Sequence, residues 1–209
     1  MLNRYSIIFW DFDGVIKESN QVKTKAFVKL FQESSDGVLR KIRNHHIQNE
    51  GMSRFDKIPI YLKWSGIKVS EKNIEIFSKT FGDIVVQSVI DSPWVEGVQR
   101  YLELNSKKQK FVLVSATPKQ ELEYILKKLN IKVFFEKIYG APDKKDIAIN
   151  NFLKTVNVCL DDCIMIGDAM SDLNAANSNN IDFLLRKHKF NKTISKNFTG
   201  KYIEDFLLL

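Results

Sequence analysis

Short apolar runs and longer helical patterns alternate along this chain, and the first apolar run is the most informative. Ile7–Trp10 is a run of strand-forming residues, and Asp11 and Asp13 follow it before Gly14. Such a run is typical of a strand buried on both faces of a parallel sheet. Two carboxylates at the end of a buried strand repel each other and resist desolvation, so a divalent cation is a suitable partner for them. The alternative interpretation is a solvated turn or a helix N-cap, which Asp also favours.

The residues from 18 to about 90 show helical periodicity without a strand pattern. Val22, Ala26 and Leu30 have helical spacing, and Ser19 or Asn20 is a suitable N-cap. Three more amphipathic stretches follow: GVLRKIRNHHIQNEG, SRFDKIPIYLKWSG and SEKNIEIFSKTFGDIVVQSVI. This pattern predicts an inserted helical module whose apolar faces pack together.

Strands and helices alternate after a further helix in DSPWVEGVQRYLELN. The apolar runs predict strands at residues 111–114, 133–139, 163–166 and 181–186, with helices between them. The predicted fold class is therefore α/β, with a Rossmann-like parallel sheet, helices on both faces and an inserted all-helical cap. Residues 1–17 and 91–209 are expected to form the core domain, and residues 18–90 the helical cap domain.

Composition and charge leave this picture unchanged. The 209 residues suffice for one core and an insertion, and 44% hydrophobic with 27% charged residues is usual for a soluble globular protein. The formal charge of +7 invites a nucleic-acid interpretation, but the basic residues are spread along the chain. A lysine-rich solvated surface that attracts small anionic substrates is the better explanation, so no nucleic-acid partner is expected.

The two cysteines and the N-terminal sequence indicate the cellular compartment in which the protein is expected. Cys159 and Cys163 lack nearby Cys or His residues that would complete a zinc site, so both are interpreted as reduced thiols. No signal-peptide pattern and no run of about 20 apolar residues is present. A cytoplasmic protein without a membrane partner is expected.

Polar side chains follow four of the predicted strands. They are Asp11 and Asp13 after the first strand, Ser115 and Thr117 after the second, Lys144 and Lys145 after the third, and Asp168 and Asp172 after the fourth. The carboxyl ends of parallel strands share one sheet edge, so these groups can converge. Carboxylates, a hydroxyl and a lysine around a cation are suited to phosphoryl transfer. Thr117, which precedes Pro118, is interpreted as a structural helix N-cap.

Together these motifs resemble those of a known family. DFDGVI, the Ser115 strand end, a lysine after a G-x-P turn and GDAMSD resemble the four motifs of the haloacid dehalogenase superfamily, in its helical-cap subfamily of phosphoglycolate phosphatases and β-phosphoglucomutases. The resemblance covers nearly the whole chain. A G-x-G-x-x-G or Walker A loop, typical of dinucleotide or P-loop sites, is missing from the sequence.

The resemblance implies a role for each matching residue. Asp11 is the expected nucleophile, and Asp13 the general acid and base. Mg²⁺ is the expected cofactor, bound by Asp11, the backbone carbonyl of Asp13 and Asp168, with Asp172 in support. Ser115 is expected to donate a hydrogen bond to a phosphoryl oxygen.

The motif lysine is expected to neutralise charge on the nucleophile and the phosphate. In relatives with a G-x-P turn it stands three residues after the proline, which selects Lys145 after Pro142, with Lys144 as the fallback.

The cap sequence adds one candidate for substrate binding. Arg54 ends a GMSR segment that resembles one facing the active site in helical-cap relatives, where it could bind a distal part of the substrate. The other basic residues of this region are interpreted as a solvated face or as structural residues; they include Arg40, Arg43, His45 and His46.

The prediction is thus a magnesium-dependent phosphatase that hydrolyses a small phosphate monoester, such as a sugar phosphate, through an aspartyl-phosphate. A phosphomutase of the same fold is the main alternative, and a phosphoaspartate signalling or binding protein is a weaker one. A true dehalogenase is disfavoured because its relatives lack the second carboxylate, here Asp13. The identity of the metabolite, and the choice between a monomer and a homodimer, stay open.

Overall fold

The computed structural model describes residues 2–49 and 51–209 and confirms the predicted α/β fold class. Within the described residues one sheet contains six strands, all parallel, in the order β3-β2-β1-β4-β5-β6. The strands are β1 (Ile7–Trp10), β2 (Lys110–Pro118), β3 (Lys137–Ala141), β4 (Cys163–Gly167), β5 (Asp182–Arg186) and β6 (Tyr202–Ile203).

Helices cover both faces of this sheet. Those after residue 91 are α5 (Val98–Asn105), α6 (Lys119–Lys128), α7 (Lys145–Leu153), α8 (Met170–Ser178) and α9 (Lys192–Asn197). Ile8 and Trp10 of β1 point into an apolar core shared with α5 and α6, whereas Ile7 and Phe9 point into one shared with α7 and α8. Strand β1 is buried on both faces because its side chains alternate between these two cores.

In the described part of the chain, four helices follow β1 before α5 begins. They are α1 (Asn20–Leu30), α2 (Asp36–Gln48), α3 (Arg54–Trp64) and α4 (Glu71–Asp91). Phe27 lies at their centre, with its ring centroid 5.3 Å from that of Tyr61 and 4.0 Å from that of Phe81. The side chains of Ser53 and Ser70 cap α3 and α4 by accepting backbone N–H bonds. The predicted helical character of this stretch is confirmed for the described residues.

Several boundaries differ from the sequence-based expectation. Strand β2 continues to Pro118, so Ser115 and Thr117 lie within the strand, and Pro118 instead of Thr117 is the N-cap of α6. The third strand begins only at Lys137, because residues 132–134 form a 3₁₀ turn. Neither β6 nor α9 was predicted, since two and six residues are too short to show a clear period. No helix of the described part of the chain is both long and apolar enough to cross a membrane.

Candidate active site

The strand register brings the predicted acidic residues to one edge of the sheet. Trp10 pairs with Leu113 of β2 and with Ile166 of β4. The next residue, Asp11, donates its backbone N–H to the Ile166 carbonyl over 2.9 Å. Asp11 and Asp168 therefore leave neighbouring strands at the same level, although 157 positions separate them in the chain.

A buried cluster of three carboxylates forms at this edge. One oxygen each of Asp11, Asp168 and Asp172 lies within 4.8 Å of the others. Asp168 Oδ2 is also 2.9 Å from the amide nitrogen of Asn20 and 2.8 Å from His188 Nε2. These contacts fix the orientation of the Asp168 carboxylate.

Gly14 is required for the close packing of this cluster. Its φ is +74°, and a Cβ at this position would lie 2.0 Å from Asp168 Oδ2. Any other residue would therefore combine an unfavourable backbone conformation with a collision.

Lys145 bridges two of the carboxylates. Its Nζ lies 2.9 Å from Asp11 Oδ2 and 2.6 Å from Asp172 Oδ1. The other Asp172 oxygen accepts the backbone N–H groups of Asp168 and Ala169 at the start of α8, which holds Asp172 in place. Lys145 is 8% exposed, whereas Lys144 is exposed to solvent as the N-cap of α7.

The electrostatics of the cluster follow from its burial. Burial and the neighbouring charges of Asp172 and Asp168 raise the pKa of Asp11 well above its usual value, and the opposing attraction of Lys145 is insufficient to prevent this. Burial by itself lowers the pKa of Lys145, but Asp11 and Asp172 raise it above its ordinary value. Lys145 is therefore charged, and the carboxylates around it repel one another.

Asp13 lies in a different environment. Lys23 Nζ forms an ion pair with Asp13 Oδ2, and the hydroxyl of Ser19 donates to Oδ1 over 2.5 Å. Lys23 Nζ also lies 2.8 Å from Thr117 Oγ1, which is 3.4 Å from Asp13 Oδ2. Burial raises the pKa of Asp13, but Lys23 and Ser19 outweigh it and bring the pKa below its usual value. Thr117, interpreted from sequence as an N-cap, thus belongs to the surroundings of Asp13.

Ser115 is buried in β2, and its hydroxyl takes part in a hydrogen bond with a residue two positions further along the chain. Its Oγ accepts the backbone N–H of Thr117 over 3.1 Å. Of these β2 residues, Ala116 and Thr117 line the cavity at the carboxylates, and Ser115 does not.

The cluster has the properties of a divalent cation site. Asp11, Asp13, Asp168 and Asp172 carry four negative charges when ionised, and the ion pairs of Lys23 and Lys145 offset two of them. The donor atoms of the cluster are oxygens, which hard cations such as Mg²⁺ prefer. The residues therefore fit a magnesium ion by donor type and by charge.

Helices α1 to α3 close the cavity from the other side. Its lining there includes His46, Gly51, Met52, Arg54 and Lys57, and the cavity volume is about 40 Å³. This space suits one or two water molecules and is too small for a phosphate ester with a carbon skeleton. The described arrangement is therefore a closed one.

Two contacts define the closed arrangement. Arg54 Nη2 lies 2.6 Å from Glu121 Oε1 on α6, and Arg54 Nη1 donates to the Ser78 carbonyl over 3.2 Å. A Cβ on Gly51 would lie 1.7 Å from Ser171 Oγ at the start of α8. Arg54 thus lines the cavity, but Glu121 already neutralises its guanidinium.

The remaining basic residues of α2 divide into two groups. Arg40 and Arg43 are exposed, in agreement with a solvated face. His45 Nδ1 lies 3.1 Å from the Tyr61 hydroxyl, which is a structural contact. His46 is only 3% exposed and lines the cavity.

Several residues in and around the site were not predicted from the sequence to belong to it. They are Asn20, Lys23, His46, Lys57 and His188. Asn20 and Lys23 lie one helical turn apart at the start of α1, seven and ten positions after Asp13, and this proximity was the available pointer to them. The other three reach the site through tertiary packing.

Buried carboxylates and a lysine lie at the carboxyl edge of a parallel sheet, and helices inserted after the first strand close over them. This arrangement is suited to phosphoryl transfer. The chain matches the haloacid dehalogenase-like hydrolase family over residues 7–185. It therefore belongs to that family, as its four motifs predicted.

The chain is similar to proteins of this family along nearly its whole length. It is 24% identical over 196 residues to a phosphoglycolate phosphatase of Colwellia psychrerythraea, covering 87% of this chain and 84% of that protein. It is 22% identical over 176 residues to a 6-phosphogluconate phosphatase of Escherichia coli, covering 81% and 77%. The structure of a mutant of CbbY from Rhodobacter sphaeroides in complex with xylulose-1,5-bisphosphate has the same fold, with a TM-score of 0.77 at 13% identity, covering 98% and 96%.

Proposed function

We propose that this protein is a magnesium-dependent phosphatase that hydrolyses a phosphate monoester of a small metabolite through an aspartyl-phosphate. The observation that carries the proposal is the cluster of Asp11, Asp168 and Asp172, closed by Lys145 at 2.9 Å from Asp11. Membership of a hydrolase family supports it, as do the names of the two relatives, which are phosphatases of small phosphorylated acids.

Asp11, Asp168 and the backbone carbonyl of Asp13 would hold the metal ion, with Asp172 in support. Bound Mg²⁺ would neutralise the phosphoryl oxygens, so that an anionic carboxylate can approach them. Lys145 adds a positive charge beside Asp11, which favours the ionised nucleophile and opposes the rise in the pKa of Asp11.

In the first half-reaction a carboxylate oxygen of Asp11 attacks phosphorus. A bond forms between Asp11 and phosphorus, the ester P–O bond breaks, and Asp13 gives a proton to the leaving alcohol oxygen. In the second half-reaction Asp13 takes a proton from water while the water oxygen attacks phosphorus. The bond to Asp11 then breaks, which releases inorganic phosphate and restores the Asp11 carboxylate and the protonated Asp13 of the first half-reaction.

The pKa of Asp13 suits the second half-reaction as the structure stands, because Lys23 holds that pKa below its usual value and Asp13 is ionised. The first half-reaction needs a protonated Asp13. A substrate anion that draws Lys23 away removes the largest of the effects that oppose burial, and the pKa of Asp13 then rises. Lys23 is therefore proposed as the residue that sets the protonation of Asp13.

Residues 18–90 are proposed to act as a cap that opens to admit the substrate and closes to exclude water. The small cavity of the closed arrangement, about 40 Å³, supports such a motion. Arg54 is proposed to bind a distal part of the substrate only after it leaves Glu121. Ser115 is proposed to bind a phosphoryl oxygen after giving up its contact with Thr117.

Turnover of p-nitrophenyl phosphate with and without magnesium tests the proposal. Wild type is expected to be active only with the metal, and Asp11→Asn to be inactive. Asp161→Asn is the matched control, because Asp161 is exposed in the turn before β4. Equal activity of wild type and Asp11→Asn would remove Asp11 as the nucleophile. Formation of a sugar-phosphate isomer instead of free phosphate would favour the phosphomutase alternative.

A further inference from the structure

One oxygen of Asp168 contacts two hydrogen-bond donors at once. Asn20 Nδ2 lies 2.9 Å from Asp168 Oδ2, and His188 Nε2 lies 2.8 Å from the same atom. A carboxylate oxygen has two lone pairs with which it can accept hydrogen bonds or bind a cation. Both lone pairs of Oδ2 are therefore engaged, and Oδ2 has none left for a metal ion.

A second contact of the His188 ring makes Nε2 the donor. His188 Nδ1 accepts the backbone N–H of Phe190 over 3.2 Å. A ring nitrogen that accepts a hydrogen bond carries no proton, so the ring proton is on Nε2. The contact between Nε2 and Asp168 Oδ2 is therefore a hydrogen bond from the imidazole to the carboxylate.

The segment after β5 holds His188 in this position. The side-chain amide of Asn191 donates to the backbone carbonyls of Asp168 and Arg186, each over 2.8 Å. The Oδ1 atom of Asn191 accepts the backbone N–H of His188 over 3.0 Å. Asn191 thus ties the backbone that carries His188 to the backbone of Asp168.

The other oxygen of Asp168 differs from Oδ2. Asp168 Oδ1 forms no hydrogen bond or ion pair with the residues that the structure describes, and Asp168 lines the cavity. In Asp11, by contrast, each oxygen has one partner, which is the backbone N–H of Phe12 for Oδ1 and Lys145 for Oδ2. Asp168 can therefore offer a cation one oxygen, whereas Asp11 keeps a lone pair on both.

The number of oxygens that a carboxylate offers matters differently to two common cations. Ca²⁺ takes about six to eight oxygen ligands in flexible geometry and often binds both oxygens of one carboxylate. Mg²⁺ requires nearly octahedral geometry, which two oxygens of the same carboxylate do not fit. Closing one oxygen of Asp168 therefore removes a possible ligand of Ca²⁺ and leaves the ligands of Mg²⁺ unchanged.

We propose that Asn20 and His188 determine the specificity for the metal ion, because they restrict Asp168 to one ligand oxygen and so disfavour Ca²⁺ relative to Mg²⁺. Both residues act through Asp168 and are positioning residues. This inference rests on the proposed magnesium site and adds how this chain discriminates between the two ions.

Calorimetric titration with Mg²⁺ and with Ca²⁺ tests the proposal through the ratio of the Kd for Ca²⁺ to the Kd for Mg²⁺. His188→Leu and Asn20→Leu each remove one donor from Asp168 Oδ2. Binding through both oxygens uses the lone pair of Oδ2 that faces Oδ1, so freeing that one position is sufficient. We expect the ratio to fall at least about tenfold in one or both variants, which is the scale on which partners of metal ligands change affinity.

A purely structural role would weaken the binding of both ions by the same factor and leave the ratio unchanged. His188→Gln places an amide N–H near the position of Nε2 and should retain much of the wild-type ratio. His45→Leu is the matched control, because His45 lies on α2 and contacts the Tyr61 hydroxyl. An unchanged ratio in both His188→Leu and Asn20→Leu would overturn the inference, and so would an equal fall in His45→Leu.

A crystal structure of the wild-type protein with Ca²⁺ tests the same point without a variant. Asp168 should bind the ion through Oδ1 alone, with Oδ2 still in contact with Asn20 and His188. Both Asp168 oxygens at the usual Ca²⁺ ligand distance of about 2.3–2.6 Å would overturn the inference.

The binding measurements are independent of turnover. A lowered ratio in the leucine variants supports the inference even where p-nitrophenyl phosphate is not hydrolysed, which would refute the phosphatase proposal alone. An unchanged ratio with intact turnover would refute this inference alone. Absence of Mg²⁺ binding to the wild-type protein would overturn the magnesium site and this inference with it.

Discussion

At the scale of single residues, Lys145 is the buried cation that forms ion pairs with both Asp11 and Asp172. It is buried and lies within 2.9 Å of two carboxylates that would otherwise face each other. Replacing it by Met leaves Asp11 and Asp172 without an ammonium group, so we expect kcat to fall by about 10²- to 10³-fold. Lys144→Met is the matched control, because the neighbouring Lys144 is exposed. Equal losses in the two variants, measured with p-nitrophenyl phosphate, would contradict the assignment.

The contact of Lys23 with Asp13 predicts the direction in which the pH profile of kcat shifts when Lys23 is replaced. Its charge and hydrogen bond are the largest of the effects that lower the pKa of Asp13, against the opposing effect of burial. Lys23→Met therefore raises the pKa of Asp13, and a higher pH is needed to ionise the base of the second half-reaction. The acidic limb of the pH profile of kcat is expected to move to higher pH.

The control for this experiment is Lys25→Met, an exposed lysine two residues further along α1. Its acidic limb should coincide with that of wild type. A limb in Lys23→Met that stays in place, or moves to lower pH, would show that Asp13 is not the titrating base.

At the scale of secondary-structure elements, the sequence predicted the sheet well where burial was complete. Strand β1 and strand β4 read as continuous apolar runs because both of their faces are covered, and their ends were placed to within one residue. The end of β2 was placed too early, since Ser115 and Thr117 are polar yet remain in the strand. Thr117 lies beside Asp13 in the candidate site, and local pattern reasoning fails at such positions.

The loop after α2 contacts the start of α8 at Gly51 and Ser171, and this contact predicts the effect of a substitution on cap closure. Gly51→Ala would place a Cβ 1.7 Å from Ser171 Oγ and 2.7 Å from Ser171 Cβ, so the cap cannot close fully. We expect kcat/KM to fall by about 10- to 100-fold, in keeping with a displacement of about 1 Å at the reacting groups.

A second substitution tests whether this collision is the cause. Ser171→Gly removes both clashing atoms and should restore much of the activity of Gly51→Ala. Gly37→Ala adds the same methyl group within α2, where the nearest atom is 4.0 Å away, and should have little effect. Failure of Ser171→Gly to rescue, together with a normal thermal transition, would refute the closure argument.

At the scale of the whole molecule, the sequence predicted which strand ends meet but not the groups that support them. Asp11, Asp168 and Lys145 follow from the rule that parallel strands end at one edge. His188 and His46 do not, because they approach the site from the segment after β5 and from α2 through packing that no local pattern encodes. The position of such residues depends on how the inserted helices sit on the sheet.

The last prediction concerns magnesium and the stability of the entire chain. Burial and the charges of Asp172 and Asp168 raise the pKa of Asp11 well above the value of about 3.9 expected in the unfolded chain. The folded, metal-free protein therefore binds this proton more tightly than the unfolded chain does. The resulting stabilisation is complete below about pH 3.9 and is lost as the pH rises through the elevated pKa of Asp11.

A bound dication reverses this dependence, because it stabilises the ionised carboxylates and competes with the proton. A fixed magnesium concentration of about 100 times the Kd at neutral pH should stabilise the protein by about 2.7 kcal/mol near neutral pH. The same concentration should stabilise it by less near about pH 5, where the proton competes with the ion. Thermal unfolding at the two pH values, with and without the metal, measures the difference. Asp11→Asn should show a smaller gain that varies less with pH, whereas Asp161→Asn should behave as wild type. An equal gain at both pH values in wild type would show that the ion does not bind at the Asp11 carboxylate.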